Sequence, residues 1–394
     1  MRILIINSLY PPIRFGGAEQ SVALLAEALA AAGEEVHVAT LHAEPDERTS
    51  VERGVTVHRL PLDNLYWAWP VGRQSAWRRL HWHRRDGWNR AAAGRIDRLI
   101  DQIEPDLVHG QLLTGFGPAI WPTVKARGLP LVQTIRDYSL ICARAALFRR
   151  GRTCVRRCQS CRLLTAPSRR PSGQVDALIG NSDFLIEAHR RAGRFAGVTS
   201  QRLFNIVAVD AASRAPPREG PLHFGFLGRI EAEKGIEVLL HALPRIGRAN
   251  WRLSIGGIGE ESFVDSLRSH HPDRRITWLG RVHSPEFYRL IDVLVVPSLW
   301  PEPLPRTLIE AIGHGRTIIA AHSGGIPEAA AFAPRIALYR ADDPDALAAA
   351  MRLAIDRPGD WRPDEPAPPL PTVFSAEAAV AAHRALYARL VSGK

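Results

Sequence analysis

Short, uninterrupted apolar runs alternate with longer amphipathic stretches, and the series runs through the chain twice. Arg2 to Asn7 (RILIIN) has the length and apolarity of a parallel strand buried on both faces. A loop carrying Pro11, Pro12, Gly16 and Gly17 follows. Val22, Leu25 and Leu29 then recur at helical spacing up to Gly33, which predicts a helix over 18–32. Glu35 to Thr40 is the next strand, so the chain opens as a right-handed βαβ unit. Strands at 55–59, 106–109, 131–135, 175–181 and 203–207, with helices at 89–103 and from Ser182 towards His189, complete the first series.

The series restarts at His223 to Gly228. Strands at 252–256, 276–279, 293–296 and 317–321 alternate with helices at 236–246, 285–291, from Pro305 onward, and 345–355. Ser375 caps a last helix that runs to about Val391. The polar, proline-rich stretch 212–221 reads as a linker. The expectation is an N-terminal α/β domain over 1–212, a C-terminal one over 213–374 and a terminal helix over 375–394. A chain of 394 residues has room for two such cores.

The net charge is +11, and it is almost entirely arginine, because only Lys125, Lys234 and Lys394 are lysines. This balance suits polyanions, anionic membrane surfaces or phosphorylated substrates. The N-terminal apolar run is about five residues, far from the roughly 20 of a membrane span. The protein is therefore expected in the cytoplasm, or peripherally on the inner face of the plasma membrane. Residues 62–90 concentrate five of the ten tryptophans among arginines and histidines. Packing of these aromatics on the N-terminal sheet is the first reading. A membrane interface is the second, and stacking on nucleic acid is the third.

All four cysteines, Cys142, Cys154, Cys158 and Cys161, fall in or beside a stretch (138–175) with nine arginines and no carboxylate. In a reducing compartment such clustering points to a structural zinc site, with an iron–sulfur cluster compatible and four free thiols the plain alternative. Other candidates sit in loops. Gly16 and Gly17 open a helix, where backbone N–H groups favour anions, and a tight turn accounts for them equally well. Arg136 and Asp137 end a strand, where ligands of parallel sheets bind, and an ion pair closing the loop is the alternative. Arg229 and Lys234 flank a loop that feeds a helix, a cradle for a diphosphate. Glu302 lies in a proline-rich loop and Glu310 in the helix after it.

Taken in order, Pro11-Pro12-x3-Gly16-Gly17-Ala18-Glu19, Gly228-Arg229-Ile230-x3-Lys234-Gly235, Val296-Pro297-Ser298, Glu302-x7-Glu310 and Gly324-Gly325-x2-Glu328 resemble retaining glycosyltransferases of family 4. The resemblance covers nearly the whole chain and implies the GT-B fold. It implies a nucleotide-sugar donor, UDP- or GDP-linked, on the C-terminal domain. It further implies a glycan or lipid-linked acceptor on the N-terminal one, with no nucleic-acid partner. By the same resemblance Arg229 and Lys234 neutralise the diphosphate, Glu310 takes the ribose hydroxyls, and Glu302 takes sugar hydroxyls with backbone N–H groups near Leu304 and Arg306. Val282 lies against the base, and Gly16 and Gly17 let their loop close over the phosphates. No cofactor is implied for catalysis. Two positions depart from the family pattern. Arg136 stands where many relatives carry histidine, and Pro305 stands where glycine is usual. The competing expectations are an inactive GT-B protein that binds a polyanion or a membrane, and a regulator working through the cysteines.

Overall fold

A computed structural model describes residues 1–13, 16–69, 74–209, 219–247, 250–333, 335–362 and 369–393. The chain divides into two compact units, 1–146 with 155–206 and 372–394, and 147–154 with 207–371. Most of the expected linker, residues 210–218, lies outside the described residues.

In the first unit the strands are β1 (Arg2–Ile6), β2 (Glu35–His42), β3 (Arg48–Glu52), β4 (Val55–Pro61), β5 (Leu107–Gly110) and β6 (Leu131–Ile135). A two-stranded hairpin follows, β7 (Phe148–Arg149) with β8 (Arg152–Thr153), and then β9 (Ala177–Gly180) and β10 (Thr199–Arg202). The helices are α1 (Ala18–Ala31), α2 (Ala76–Gly87), α3 (Arg90–Ile103), α4 (Ile120–Ala126), α5 (Gln159–Leu164) and α6 (Asp183–Arg191). The main sheet has the order β10-β9-β6-β5-β1-β2-β4-β3. Every neighbouring pair in it is parallel except β3 with β4. The central strands read as continuous aliphatic runs because both faces are covered.

The second unit holds β11 (Leu222–Leu227), β12 (Trp251–Gly256), β13 (Ile276–Gly280), β14 (Val293–Val296), β15 (Thr317–Ala321) and β16 (Ile336–Tyr339). Its helices are α7 (Ile236–Ile246), α8 (Glu261–His270), α9 (Ser284–Leu290), α10 (Arg306–Gly313), α11 (Ile326–Ala330), α12 (Pro344–Asp356) and α13 (Pro358–Trp361). The all-parallel sheet β13-β12-β11-β14-β15-β16 is the doubly wound order, with its switch point between β11 and β14. A last helix, α14 (Ala376–Ser392), returns to the first unit. Its Tyr387 joins the core cluster of that unit's α1 and central strands, and the Tyr387 hydroxyl lies 2.6 Å from His109 Nδ1.

Two sequence expectations change, and a third, the packing of the tryptophans, holds at most of its positions. The last strand of the first unit is Thr199–Arg202, not 203–207. As a sheet edge it tolerates polar residues, and the chain then leaves the ladder so that Ile206 can enter the core. The arginine-rich insert is divided, because residues 147–154 belong with the second unit, where Thr153 donates to the Leu299 carbonyl at 2.7 Å. Finally, of the five tryptophans at 62–90, Trp82 is buried, Trp67, Trp69 and Trp88 are half-buried and only Trp77 is exposed. Packing therefore accounts for most of that run.

Tyr387→Ala should lower the first unit's stability by about 3–5 kcal/mol through the lost aromatic, and Tyr387→Phe by about 1–3 kcal/mol through the lost hydroxyl. Urea unfolding of the two variants checks this.

Candidate active site

In the second unit the candidate residues gather at the carboxyl ends of β11 and β14, the position where doubly wound sheets bind ligands. Two glycines make the gathering possible. Gly235 has φ +71°, and a Cβ there would stand 1.8 Å from the Pro297 carbonyl oxygen. Gly324 has φ +59°, and its Cβ would stand 2.1 Å from the Glu302 carbonyl oxygen. Only glycine allows both the left-handed backbone and the close approach. The start of α7 and the loop after β15 are thereby pressed onto the loop after β14. Gly325 N–H donates to the Glu302 carbonyl at 2.7 Å, and Leu299 N–H to the Glu233 carbonyl at 2.9 Å.

Within this frame Lys234 Nζ lies 2.7 Å from Glu302 Oε1, which also accepts from Ser298 Oγ at 2.7 Å. The Lys234 ammonium stands over the Trp300 ring, 4.9 Å from its centre. Both members of the Lys234–Glu302 pair are largely buried, with side-chain exposures of 19% and 4%. Such a pair sets geometry more than it adds stability, since desolvation offsets much of the attraction. Arg229 is more open and pairs with Glu231 at 2.7 Å and Glu233 at 3.9 Å. Burial pushes the Glu231 carboxyl above the usual range despite Arg229. The result is two cations, each already balanced by carboxylates, beside the N-terminus of α7.

Glu310 lies one turn into α10. Its Oε1 accepts from Arg306 Nε at 2.8 Å, and its Oε2 lies 3.3 Å from the Tyr288 hydroxyl. Burial, and then the negative charge of Glu310, hold the Tyr288 phenol well above its usual pKa. Tyr288 is therefore a fixed donor, which also reaches the Thr307 carbonyl at 2.8 Å. Pro305 is the N-cap of α10, with extended backbone, instead of lying in its first turn. Leu304 is buried just before it, and Val282 sits past the end of β13, its Cγ2 2.8 Å from where a Gly256 Cβ would be.

The remaining candidates lie in the first unit. Gly16 N–H donates to Glu19 Oε2 at 2.9 Å, and Gly17 is the N-cap of α1. Arg136 Nε donates to Gln111 Oε1 at 2.9 Å, and its Nη1 to Asn205 Oδ1. Asp137 accepts from Ser139 N–H at 2.8 Å, and burial pushes its pKa up. Gln111 continues to His109 (3.0 Å), which lies 2.7 Å from Thr134 Oγ1. Burial keeps His109 well below its usual pKa and lowers His383 to about 4, so Arg136 is the charged member of this network.

Cys142 and Cys161 have Sγ atoms 3.8 Å apart, and none of the four cysteines forms a disulfide. That separation matches one edge of a tetrahedral zinc–thiolate site, about 3.8 Å for Zn–S bonds of about 2.3 Å. Among the described residues no three Cys, His, Asp or Glu side chains form a metal-ready group. Beside these cysteines is a cavity of about 100 Å³ lined by Trp82, His83, Asp86, Ser139 and Cys142, among others.

Several of these partners carried little signal in the sequence. Tyr288, Gln111 and Asn205 are brought in by tertiary packing alone, whereas Glu19 meets Gly16 locally, within the Gly16-Gly17-Ala18-Glu19 motif. The Arg306–Glu310 contact was readable, because an i, i+4 charge pair meets on one helix face.

Two family models match the chain, "Glycosyl transferase 4-like domain" over residues 16–199 and "Glycosyl transferases group 1" over residues 221–357. The chain is a glycosyltransferase of the GT-B fold. An uncharacterized 42.6 kDa protein from the cps region of Klebsiella pneumoniae is 28% identical over 85% of this glycosyltransferase and 89% of that protein. A glycogen synthase of Mycobacterium tuberculosis is also 28% identical, over 91% of this chain and 87% of its own. Among solved structures, sucrose-phosphate synthase from Thermosynechococcus elongatus superposes with a TM-score of 0.72 over 100% of both chains at 18% identity. Anabaena HepE, solved with UDP and glucose, gives 0.68 over 98% of this chain and 99% of that one at 15% identity. Among the described residues no helix is long and apolar enough to cross a membrane.

Gly235→Ala should destabilise the second unit and lower ligand affinity together, read as a lower thermal midpoint and a lost ligand-induced shift. A pH effect is expected from Asp86. Burial raises its pKa from 3.8 to about 7, while Gly115 N–H on Oδ1 at 2.5 Å opposes the rise. The folded state thus holds a proton that the unfolded state releases, so stability is full below pH 3.8 and declines as pH rises towards 7. Asp86→Asn should gain stability over the wild type at alkaline pH and match it in acid, as measured by thermal midpoints across pH.

Proposed function

We propose that this glycosyltransferase moves a hexose from a nucleoside-diphosphate donor, with retention of configuration, to a glycan or lipid-linked acceptor in surface-polysaccharide assembly. The observation that carries the reading is the Lys234–Glu302 pair beside Arg229, at the switch point of the second unit. Support for the donor class comes from Anabaena HepE, which was solved with UDP-glucose. Support for the pathway comes from the cps-region relative.

When the bond between the anomeric carbon and the diphosphate oxygen breaks, negative charge grows on the leaving group. Arg229, Lys234 and the N–H groups at the start of α7 meet that charge. They stabilise it more in the transition state than in the ground state, with little reorganisation. This arrangement needs no divalent cation. Glu302, fixed by Ser298 and Lys234, accepts from sugar hydroxyls, with backbone N–H groups near Leu304 and Arg306 assisting. Glu310 accepts from the ribose hydroxyls, with Arg306 and Tyr288 holding its carboxylate in place. Val282 presents its backbone to the base. The acceptor oxygen enters on the face that the leaving group vacates, and the departing phosphate takes its proton. Arg136 stays charged and cannot act as a base, so its role is electrostatic. For the cysteine-rich segment we carry the structural-zinc reading on the Cys142–Cys161 spacing alone.

Lys234→Ala and Arg229→Ala should each cut turnover by about 10²–10³-fold with the fold intact. Glu310→Ala should weaken donor binding by roughly tenfold or more. Turnover assays with a panel of nucleotide sugars, and NMR of the product's anomeric centre, decide the matter. Undiminished transfer by Lys234→Ala, or an inverted product, would overturn the reading. Metal analysis should find about one zinc per chain, lost in Cys161→Ser. Metal-free protein with an unchanged midpoint after chelation would remove the zinc.

A further inference from the structure

We propose that the cavity enclosed by α2, α5 and the loops after β5 and β6 binds a neutral sugar ring, and that Asp86 and His83 select it through its hydroxyls. The pocket's chemistry stands without the sugar-transfer reading, whereas assigning the ring to the acceptor rests on it.

Backbone packing fixes the walls. Gly117, in the loop after β5, has φ +76°, and a Cβ there would stand 2.3 Å from the Asp86 carbonyl oxygen. Beside it, Gly115 donates its N–H to Asp86 Oδ1 at 2.5 Å, and its carbonyl accepts from Asn89 Nδ2 at 2.8 Å. A Cβ on Gly87 would lie 3.2 Å from the Leu164 carbonyl oxygen, so α5 closes against the end of α2. Ser139, Leu140 and Ala143, in the loop after β6, form a further wall. The cavity thus lies beyond the carboxyl ends of two paired parallel strands, where such sheets bind ligands. Its volume of about 100 Å³ holds several waters, or one ring of hexose size in their place.

The lining selects the ligand. The chain carries 51 lysines and arginines, yet among the described residues none lines this cavity. A phosphate would enter beside the Asp86 carboxyl with no cation to meet it. The walls offer unmet hydrogen-bonding capacity instead. Among the described residues Gly115 is the one hydrogen-bond partner of the Asp86 carboxyl, and the His83 ring nitrogens and the Thr114 hydroxyl have none. His83 and Asp86 are three residues apart, on one face of α2. Burial keeps His83 below its usual pKa, so its neutral ring has one nitrogen to donate and one to accept. A sugar hydroxyl is donor and acceptor at once and satisfies either group. Trp82, Leu113, Pro118, Leu140 and Leu164 give apolar surface to the C–H faces of the ring. An acyl chain fits less well, because it would leave the carboxyl and the imidazole unpaired and out of water.

Saturation-transfer NMR of the full chain with the methyl glycosides of glucose, galactose and mannose, without any donor, tests the pocket. At least one glycoside should bind, and glucose 6-phosphate should not displace it. His83→Phe, which removes both ring nitrogens, should weaken binding by about tenfold. Ala143→Trp, which fills the cavity, should abolish it, and Glu302→Ala in the second unit should leave it unchanged. Thermal midpoints near wild type for the two first-unit variants separate lost binding from lost fold. No binding by any glycoside, displacement by the sugar phosphate, or binding that survives both His83→Phe and Ala143→Trp would overturn the pocket. Once nucleotide sugars are added, the bound glycoside should itself be glycosylated by the wild type and not by Ala143→Trp. Glycoside binding without that product would overturn the acceptor assignment and leave the pocket standing.

Discussion

The second unit depends on one enforced contact, the pressing of backbone onto backbone at the carboxyl ends of β11 and β14. Gly235 against Pro297 and Gly324 against Glu302 bring three loops within hydrogen-bonding reach of each other. A side chain at either glycine would separate them. With the loops together, Lys234 from one and Glu302 from another meet at 2.7 Å, although 68 residues separate them in sequence. The charge pair is therefore a consequence of the backbone packing. It holds a cation and an anion in fixed positions where a ligand carrying both phosphates and hydroxyls can use them.

The same logic explains why the site is balanced before any ligand arrives. Two bare cations this close to the α7 N-terminus would repel each other and the helix dipole. Glu302, Glu231 and Glu233 offset that repulsion. A diphosphate can take over part of this balance, which leaves Glu302 to engage neutral hydroxyls. In the first unit the solution is different. Arg136 sits beside two histidines kept neutral by burial, anchored through Gln111 and Asn205.

Much of this was legible in the sequence because parallel sheets leave a strong signature. Aliphatic strand runs, amphipathic helices between them and glycine-rich turns at the strand ends located both sheets, and the spacing Arg229-x4-Lys234 located the cation pair. What escaped was whatever depends on which neighbour lies across space. Nothing near Tyr288 in sequence announces that its hydroxyl reaches Glu310, and the Leu203–Val207 run has strand-like residues but not the hydrogen-bond ladder. The tryptophans at 62–90 share one composition and differ in fate, because only tertiary packing distinguishes buried Trp82 from exposed Trp77.

The central claim is that the Arg229/Lys234 constellation recognises a nucleoside diphosphate. Calorimetric titration with UDP, GDP and ADP against their monophosphates tests it most directly. The account predicts that at least one diphosphate binds well above its monophosphate, and that Lys234→Ala abolishes the difference in protein that is still folded at the temperature of the titration. Equal affinity for mono- and diphosphates, or a preference that survives in Lys234→Ala, would contradict it.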